Sequence, residues 1–295
     1  MKVLVKDLIR VYRLGNVEVQ ALRGLNVDVR EGEIVSVIGP SGSGKTTLLN
    51  IVGGLDQATA GFVQVGDVEV TALQPSQLVD FRRKSVGHIF QTLNLLPTLS
   101  AAENVELPMI AMGASRGSRH KRVEQLLEVV GLTERANHKP GELSGGEQQR
   151  VAMSAALAND APVLLADEPT GELDTVNAKI VVDYLVKVNE ELGKTIIMVT
   201  HDPNVARAAD RILKIEDGMI KSALTPAQIV KEEAAVSYVD QLRVRIVDID
   251  VQLVKLDEDF RAGRIGGDEY VERRQSLKQT KTSLDEELHR MGVVT

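Results

Sequence analysis

Short apolar runs alternate with segments of helical spacing through the first three quarters of the chain. The runs EIVSVIGP (33–40), PVLLADEP (162–169) and KTIIMVTHD (194–202) have the length and composition of buried strands. KTTLLNIVGGL follows the first run and NAKIVVDYLVKVNEEL precedes the third, and both repeat apolar residues at helical intervals. Strands that alternate with helices are typical of a parallel sheet covered on both faces, so the pattern predicts an α/β fold.

Two parts of this region depart from simple alternation. The chain is rich in strand-like segments up to about residue 90, whereas 91–160 is mostly helical, with Pro97, Pro108 and Pro140 as expected interruptions. We therefore predict a helical insertion in the α/β core over about 91–160.

The pattern changes again after the pair Asp217-Gly218, which predicts a hairpin turn. From 227 to 291 proline is absent and charged residues dominate. The apolar residues now follow a heptad repeat, which predicts a helix about 39 Å long. The sequence AGRIGGD interrupts it, and a second helix of similar length follows. The heptad stripe is Ala235, Val239, Leu242, Ile246, Ile249, Leu253, Leu256 and Phe260, and the second helix is marked by Tyr270, Leu277, Leu284, Leu288 and Met291.

Two interpretations of this C-terminal region stay open. The first is a helical hairpin packed on itself, with its charges in solvent. The second is an arm that pairs with another subunit or docks on a partner.

Composition narrows the functional class. The net charge of −7 argues against a general nucleic-acid binder, because such proteins usually carry a basic surface. The 295 residues include no cysteine, which excludes disulfides, thiolate catalysis and cysteine-based zinc sites. The N-terminal MKVLVKDLIRVY alternates like a strand, and no run approaches the roughly 18 apolar residues of a membrane-spanning helix. We expect a mature cytosolic chain that reaches a membrane only through a partner.

The loop GPSGSGKT (39–46) joins a predicted strand to a predicted helix, as a phosphate-binding loop requires. Its glycines let the backbone approach phosphate oxygens, Lys45 offers an ammonium group to the β- and γ-phosphates, and the Thr46 hydroxyl can bind Mg²⁺. The predicted phosphate-binding residues are Gly39, Pro40, Ser41, Gly42, Ser43, Gly44, Lys45, Thr46 and Thr47.

Two adjacent carboxylates, Asp167 and Glu168, end the predicted strand at 162–169. Asp167 is placed to hold the water shell of the metal beside Thr46. Glu168, one residue further, can lie opposite the γ-phosphate and orient or deprotonate the attacking water. Without the phosphate loop, the pair would be interpreted equally well as a solvated acidic turn.

GPSGSGKT, LSGGEQQR (143–150), LLADEP and THD, in this order, resemble the motifs of the nucleotide-binding subunits of ABC (ATP-binding cassette) transporters over residues 1–222. The stretches FQTLNLLPTLSAAENVELP and NHKPGELSGGEQQR look like the MacB/LolD/FtsE branch. The resemblance implies a P-loop NTPase (RecA-like) cassette with an N-terminal antiparallel β part and a helical subdomain at about 91–160. Residues 223–295 would be an added helical hairpin, because that branch usually ends near 225.

The same resemblance implies roles for four further residues. Tyr12 falls where an aromatic ring stacks on adenine, although an ordinary strand tyrosine is the alternative. Gln91 matches a glutamine that senses Mg²⁺ and the γ-phosphate, and His201 matches a γ-phosphate contact that positions the water. Asp174 matches a loop that touches the opposite subunit.

The resemblance also implies why the chain has two glycine-rich turns before helices. ATP with Mg²⁺ would lie between Lys45 of one subunit and the signature of another, in a head-to-tail dimer. The second subunit would be another copy or a close paralogue, since each motif occurs once. The signature residues are Leu143, Ser144, Gly145, Gly146 and Glu147.

Three residues depart from the usual pattern of the family. Glu147 stands where many cassettes have glutamine, Glu172 replaces a smaller residue, and Ala155 lies where the helix after the signature often carries arginine. All the catalytic groups implied by the resemblance, Lys45, Asp167, Glu168 and His201, are present.

Two functions compete at this point. The first is an ATPase on the cytoplasmic face of the membrane that energises an integral permease of FtsX or MacB type, docked near Gln91–Pro108. The second is a soluble ABC ATPase that acts on nucleic acid or the ribosome. The absence of a second cassette or of very long coiled coils, together with the acidic charge, favours the first, with no nucleic-acid partner expected.

Overall fold

A computed structural model describes residues 1–15, 17–261 and 264–291, with side chains placed except for Leu14 and 232–237. The chain divides into two compact units, Met1–Pro226 and Ala227–Thr295. The Ala235 side chain of the predicted heptad stripe and the Ala262-Gly263 pair of the predicted break lie outside the described residues.

A six-stranded sheet forms the centre of the first unit, in the order β10-β9-β3-β8-β7-β6. All neighbouring strands from β9 to β6 are parallel, and only β10 is antiparallel to its neighbour. The three strands predicted from apolar runs are β3, β7 and β8, so the predicted α/β fold is confirmed. The bounds are β3 Ile34–Ile38, β6 Val86–Ile89, β7 Val163–Asp167, β8 Thr195–Val199, β9 Arg211–Glu216 and β10 Met219–Leu224.

The N-terminal strands build a second, antiparallel sheet of four strands in the order β2-β1-β4-β5. Their bounds are β1 Val3–Leu14, β2 Val17–Val29, β4 Ala60–Val65 and β5 Val68–Glu69. This sheet is the antiparallel part that the resemblance implied.

Seven helices belong to the described part of the first unit, with short 3₁₀ turns at Val70–Ala72, Thr133–Arg135 and Pro140–Glu142. The helices are α1 Lys45–Val52, α2 Pro75–Ser85, α3 Ala101–Ala111, α4 Arg116–Val129, α5 Gly145–Leu157, α6 Thr175–Leu192 and α7 Pro203–Ala206. Helices α3 to α5 form the predicted insertion. The interruption expected at Pro108 was wrong, because Pro108 lies inside α3, although the helix ends at Ala111, within one turn of the proline.

The six-stranded sheet separates two apolar cores, because successive residues of a strand point to opposite faces. On β7, Val163 and Leu165 pack in one core, together with α1 and the antiparallel sheet. Leu164 and Ala166 pack in the other core, together with α3 to α6. The helix that follows the phosphate loop and the helix that follows the signature therefore lie on opposite faces of the same sheet.

The predicted turn at Asp217-Gly218 joins β9 to β10. Both residues have positive φ, 48° and 73°, as a two-residue hairpin turn of type I′ requires.

The second unit consists of two helices, α8 (Pro226–Arg261) and α9 (Gly267–Arg290). At 36 residues, α8 is about 54 Å long and begins nine residues before the predicted stripe, because proline is tolerated in a first helical turn. The stripe packs within the chain: Leu242, Ile249, Leu284 and Leu288 are buried against one another. Phe260 stacks on Tyr270 with ring centroids 4.3 Å apart.

Within the described ranges, we find no helix that combines the length and the apolar character needed to cross a membrane.

Candidate nucleotide-binding site

The phosphate loop follows β3 and ends at the first turn of α1. Lys45 Nζ donates to the carbonyl oxygens of Gly39 and Pro40 at 2.9 and 2.8 Å, and its side chain is only 8% exposed. The ammonium group is thus fixed at the centre of the loop. Gly44 has a left-handed φ of 102°, and a Cβ on it would lie 2.6 Å from the carbonyl oxygen of Ala21. Only glycine fits there.

The loop fits a phosphate group. Among the described residues no side chain caps the N-terminus of α1, so the first N–H groups of this helix are available to an anion. Lys45 adds a third N–H beyond the two that bind the loop carbonyls.

Thr46 and Asp167 provide neighbouring oxygen ligands that suit Mg²⁺. Thr46 Oγ1 donates to Asp167 Oδ1 at 3.2 Å, although the two residues are 121 positions apart. Burial raises the pKa of the Asp167 carboxyl, while the hydrogen bond from Thr46 works in the opposite direction. A bound cation would favour the ionised form of the same carboxyl.

Glu168 and His201 meet because β7 and β8 are parallel neighbours whose C-terminal ends lie at the same edge of the sheet. Glu168 Oε2 lies 3.1 Å from His201 Nδ1. The carboxylate is mostly buried, whereas the imidazole is 65% exposed. Glu168 has a φ of 45°, unusual for a residue with a side chain, and its N–H donates to the carbonyl of Val199 at 2.9 Å. Backbone strain of this kind is typical of functional sites.

Five of the predicted residues therefore gather at the C-terminal edge of β3, β7 and β8, where open α/β sheets bind ligands. They are Lys45, Thr46, Asp167, Glu168 and His201. Gln91 is exposed and lies just beyond β6, the neighbour of β7.

Tyr12 lies on β1 in a cluster that sequence reasoning missed. Its hydroxyl donates to Asp56 Oδ2 at 2.6 Å, and Arg10 forms an ion pair with the same carboxylate at 2.7 Å. The Arg10 guanidinium lies 4.4 Å from the centre of the Tyr12 ring. One face of the ring is therefore covered by a cation. Nothing in the local sequence connects Tyr12 to Asp56, which is 44 positions away.

The signature forms the N-terminus of α5. Ser144 is the N-cap, and its hydroxyl accepts from the N–H of Glu147 at 3.3 Å. Glu147 Oε2 accepts in return from the N–H and the hydroxyl of Ser144, at 2.8 and 2.9 Å. This reciprocal capping box lowers the pKa of the Glu147 carboxyl. Leu143 is buried, so the turn before the helix is anchored in the core.

Asn177 connects the signature to Asp174, and sequence reasoning missed it. A Cβ on Gly146 would lie 2.4 Å from Asn177 Oδ1, so the signature helix approaches α6 closely at this glycine. Asn177 Nδ2 also donates to Asp174, the N-cap of α6, whose carboxylate accepts from the N–H groups of Val176 and Asn177. These hydrogen bonds lower the pKa of Asp174.

Comparison with known proteins agrees with this geometry. A family profile described as "ABC transporter" matches residues 22–171. The chain is 48% identical over 220 residues to the ABC transporter ATP-binding protein MJ0796 of Methanocaldococcus jannaschii, covering 73% of this chain and 94% of the relative. It is 43% identical over 251 residues to the macrolide export ATP-binding/permease protein MacB of Psychrobacter cryohalolentis, covering 81% of this chain but 38% of the relative.

A solved structure, the dimeric post-hydrolysis state of MJ0796 bound to ADP and Pi, superimposes with a TM-score of 0.71 at 44% identity. It covers 76% of this chain and 98% of the solved chain. These relatives fit the MacB/LolD/FtsE branch that the motifs indicated. The chain therefore belongs to the ATP-binding proteins of the ABC transporter family, and it is an ATPase whose cofactors are ATP and Mg²⁺.

Proposed function

We propose that this chain energises an integral membrane permease and works as one half of a head-to-tail pair of cassettes. The observation that supports the pairing is the placement of α1 and α5 on opposite faces of the six-stranded sheet. One chain then cannot close its phosphate loop and its signature around the same ATP, whereas two chains can. Since each motif occurs once, the second cassette is another copy or a close paralogue.

In this proposal the cassette domain is 1–222, and its phosphate loop binds the β- and γ-phosphates through Lys45 and the N–H groups that begin α1. Thr46, Gln91 and Asp167 would hold the Mg²⁺ ion, Asp167 through a water molecule. The Mg²⁺ ion, when bound, neutralises phosphate charge in the transition state. The contact between Thr46 and Asp167 supports this assignment.

Glu168 orients or deprotonates the attacking water, and His201 contacts the γ-phosphate and positions that water. The short distance between their side chains supports a shared task. The contact with His201 holds the carboxylate in place, so little reorganisation is needed when water arrives.

Across the pair, Ser144, Gly145 and Gly146 of the second subunit contact the γ-phosphate, so ATP joins the subunits and its hydrolysis separates them. Leu143 and Glu147 hold this turn in place. Asp174 faces the opposite subunit, and Tyr12 stacks on adenine with the ring face that Arg10 leaves free.

The permease would dock on a groove of about 460 Å³ that adjoins Gln91–Pro108. Its lining is mostly apolar and includes Phe90, Leu96, Leu107 and Pro108, with Leu96 and Leu107 well exposed. Such a groove suits an amphipathic helix of a partner. A permease of FtsX or MacB type would hold the chain at the cytoplasmic face of the membrane.

Purification of the tagged full chain from detergent-solubilised membranes tests this function. We expect an ABC-type permease to co-purify with the native chain but not with Leu107→Asp. The control is Leu192→Asp, because Leu192 is similarly exposed, 47% against 41%, and does not line the groove. Recovery of ribosomal proteins or nucleic acid in place of a permease would contradict the proposal and favour the soluble alternative.

A further inference from the structure

Helix α8 carries a second apolar stripe that the predicted heptad does not include. Val244, Val247, Val251 and Val254 are spaced three, four and three residues apart and are 59 to 70% exposed. Four valines at this spacing lie on one side of a helix over about 15 Å. The stripe ends at charged residues, Asp240 before it and Glu258 after it.

The stripe faces away from α9. Leu242, Ile249 and Leu256 of α8 are buried on the hairpin side. At 100° per residue, the middle of the valine stripe lies about 160° around the helix from the middle of the hairpin face. The valines therefore cannot pack on α9 while the hairpin is formed.

Valine is a weak helix former, so packing rather than helix propensity accounts for a row of valines on a helix. The spacing is that of positions a and d in a two-stranded coiled coil, with Val244 and Val251 at a and Val247 and Val254 at d. The positions that flank such a seam decide which partner fits and in which direction.

We propose that the valine stripe is a parallel seam between the α8 helices of two copies of this chain. In a parallel pair, each residue at position g faces the residue five positions further along the other helix. Arg243 of one copy then faces Asp248 of the second copy, and Asp250 faces Lys255. Both pairs have opposite charges, and symmetry makes each of them twice.

The opposite orientation lacks this complementarity. Antiparallel pairing centred on the stripe brings Asp248 against Asp248 and Asp250 against Asp250 of the second copy. Asp250 already accepts from Lys281 of α9, and a carboxylate has lone pairs for a second cation. The charges on α8 therefore select a second copy of the same helix in the parallel direction.

Two heptads make a short seam whose affinity by itself is low. Free chains therefore pair through it only transiently, in a contact that a disulfide can trap, and the pairing is stronger where another contact already brings the chains together. The seam includes none of the ATP-binding residues, so it can form whether or not nucleotide-dependent pairing occurs.

The absence of cysteine from the sequence makes a direct test straightforward. Full-length Val244→Cys, combined with Lys45→Ala and kept without nucleotide, is oxidised mildly and examined on a non-reducing gel. We expect a disulfide-linked dimer, because a parallel seam places the two Val244 positions side by side. Antiparallel pairing would separate them by about 15 Å and would instead link Val244→Cys to Val254→Cys in a mixture.

Val271→Cys is the matched control, since Val271 is 59% exposed but lies on α9. Equal crosslinking of the two variants would indicate random collision and overturn the seam, as would a monomeric Val244→Cys chain. A second measurement adds Arg243→Glu to Val244→Cys, which we expect to slow crosslinking about fivefold at low salt. Adding Asp248→Arg to that variant should restore the rate, and failure to restore it would overturn the parallel register.

Discussion

At the scale of single residues, Glu168 combines a backbone conformation that costs energy with a side chain held by His201. The strain is maintained by the N–H of Glu168, which bonds to Val199 of the adjacent strand. Glu168 therefore makes two distinct contributions. Its carboxylate contributes to the chemistry, and its strained backbone affects the stability of the fold.

We predict that Glu168→Gln reduces ATP turnover by about 10²- to 10⁴-fold while ATP still binds, because the amide keeps the size of the side chain but cannot act as a base. The variant should accumulate as a dimer in ATP, measured by light scattering. Adding Lys45→Ala should remove that dimer, since the phosphate clamp is lost. Turnover near that of the native chain would contradict the role.

Substitutions of Tyr12 test the contact with adenine. Tyr12→Ala should weaken ATP binding about tenfold to a hundredfold, the value of one stacking contact. Tyr12→Phe keeps the ring, so ATP affinity measured by calorimetry should change little. Because the hydroxyl donates to Asp56, Tyr12→Phe should instead lower the free energy of unfolding by about 1 kcal/mol. Equal loss of affinity in both variants would point to the hydroxyl.

At the scale of elements, β6 carries a partly buried histidine. His88 stacks on Phe90 with ring centroids 5.3 Å apart, and burial lowers its pKa from 6.5 to about 4. A histidine that is harder to protonate when folded makes the folded state less stable in acid, because the unfolded chain then binds more protons.

We predict that His88 contributes a loss of stability as the pH falls below about 6.5, continuing to about 4, and reaching about 2 kcal/mol near pH 5. Urea unfolding at pH 7.5 and pH 5 measures it. His88→Gln should lessen the difference between the two pH values. An unchanged difference in that variant would assign the acid sensitivity to other groups.

The individual elements also show which features of the structure can be predicted from the sequence alone. Strands β3, β7 and β8 are predictable because they are buried on both faces and read as continuous apolar runs. The placement of Lys45, Asp167 and Glu168 at one edge of the sheet is predictable, because each of them closely follows a predicted strand in the chain. The contacts of Tyr12 with Asp56 and of Gly146 with Asn177 are not, because they join distant segments through packing. The valine stripe was not predicted from the sequence, because the buried heptad stripe on the same helix has the same spacing of three and four residues.

At the scale of the whole molecule, the two compact units have separate apolar clusters. We predict that a chain truncated after Leu224 folds and keeps basal ATP binding and hydrolysis, because the groups placed at the ATP site all lie upstream. It should lose some stability of the subunit pair or some coupling to the permease. ATPase activity and dimerisation, with and without reconstituted permease, measure both. Loss of hydrolysis in the isolated truncated subunit would show that the hairpin belongs to the catalytic fold.

The capping box of the signature has a consequence for how two subunits close. The N–H and hydroxyl of Ser144, which would receive the γ-phosphate of the other subunit, already bind the Glu147 carboxylate. In the isolated subunit, the Glu147 carboxylate thus occupies the groups that would bind the γ-phosphate. When two subunits close around ATP, the phosphate has to replace this carboxylate. Glu147→Gln should dimerise at lower ATP concentration than the native chain, measured by light scattering during an ATP titration in a Glu168→Gln background. The residue at position 147 would then determine the ATP concentration at which two subunits dimerise.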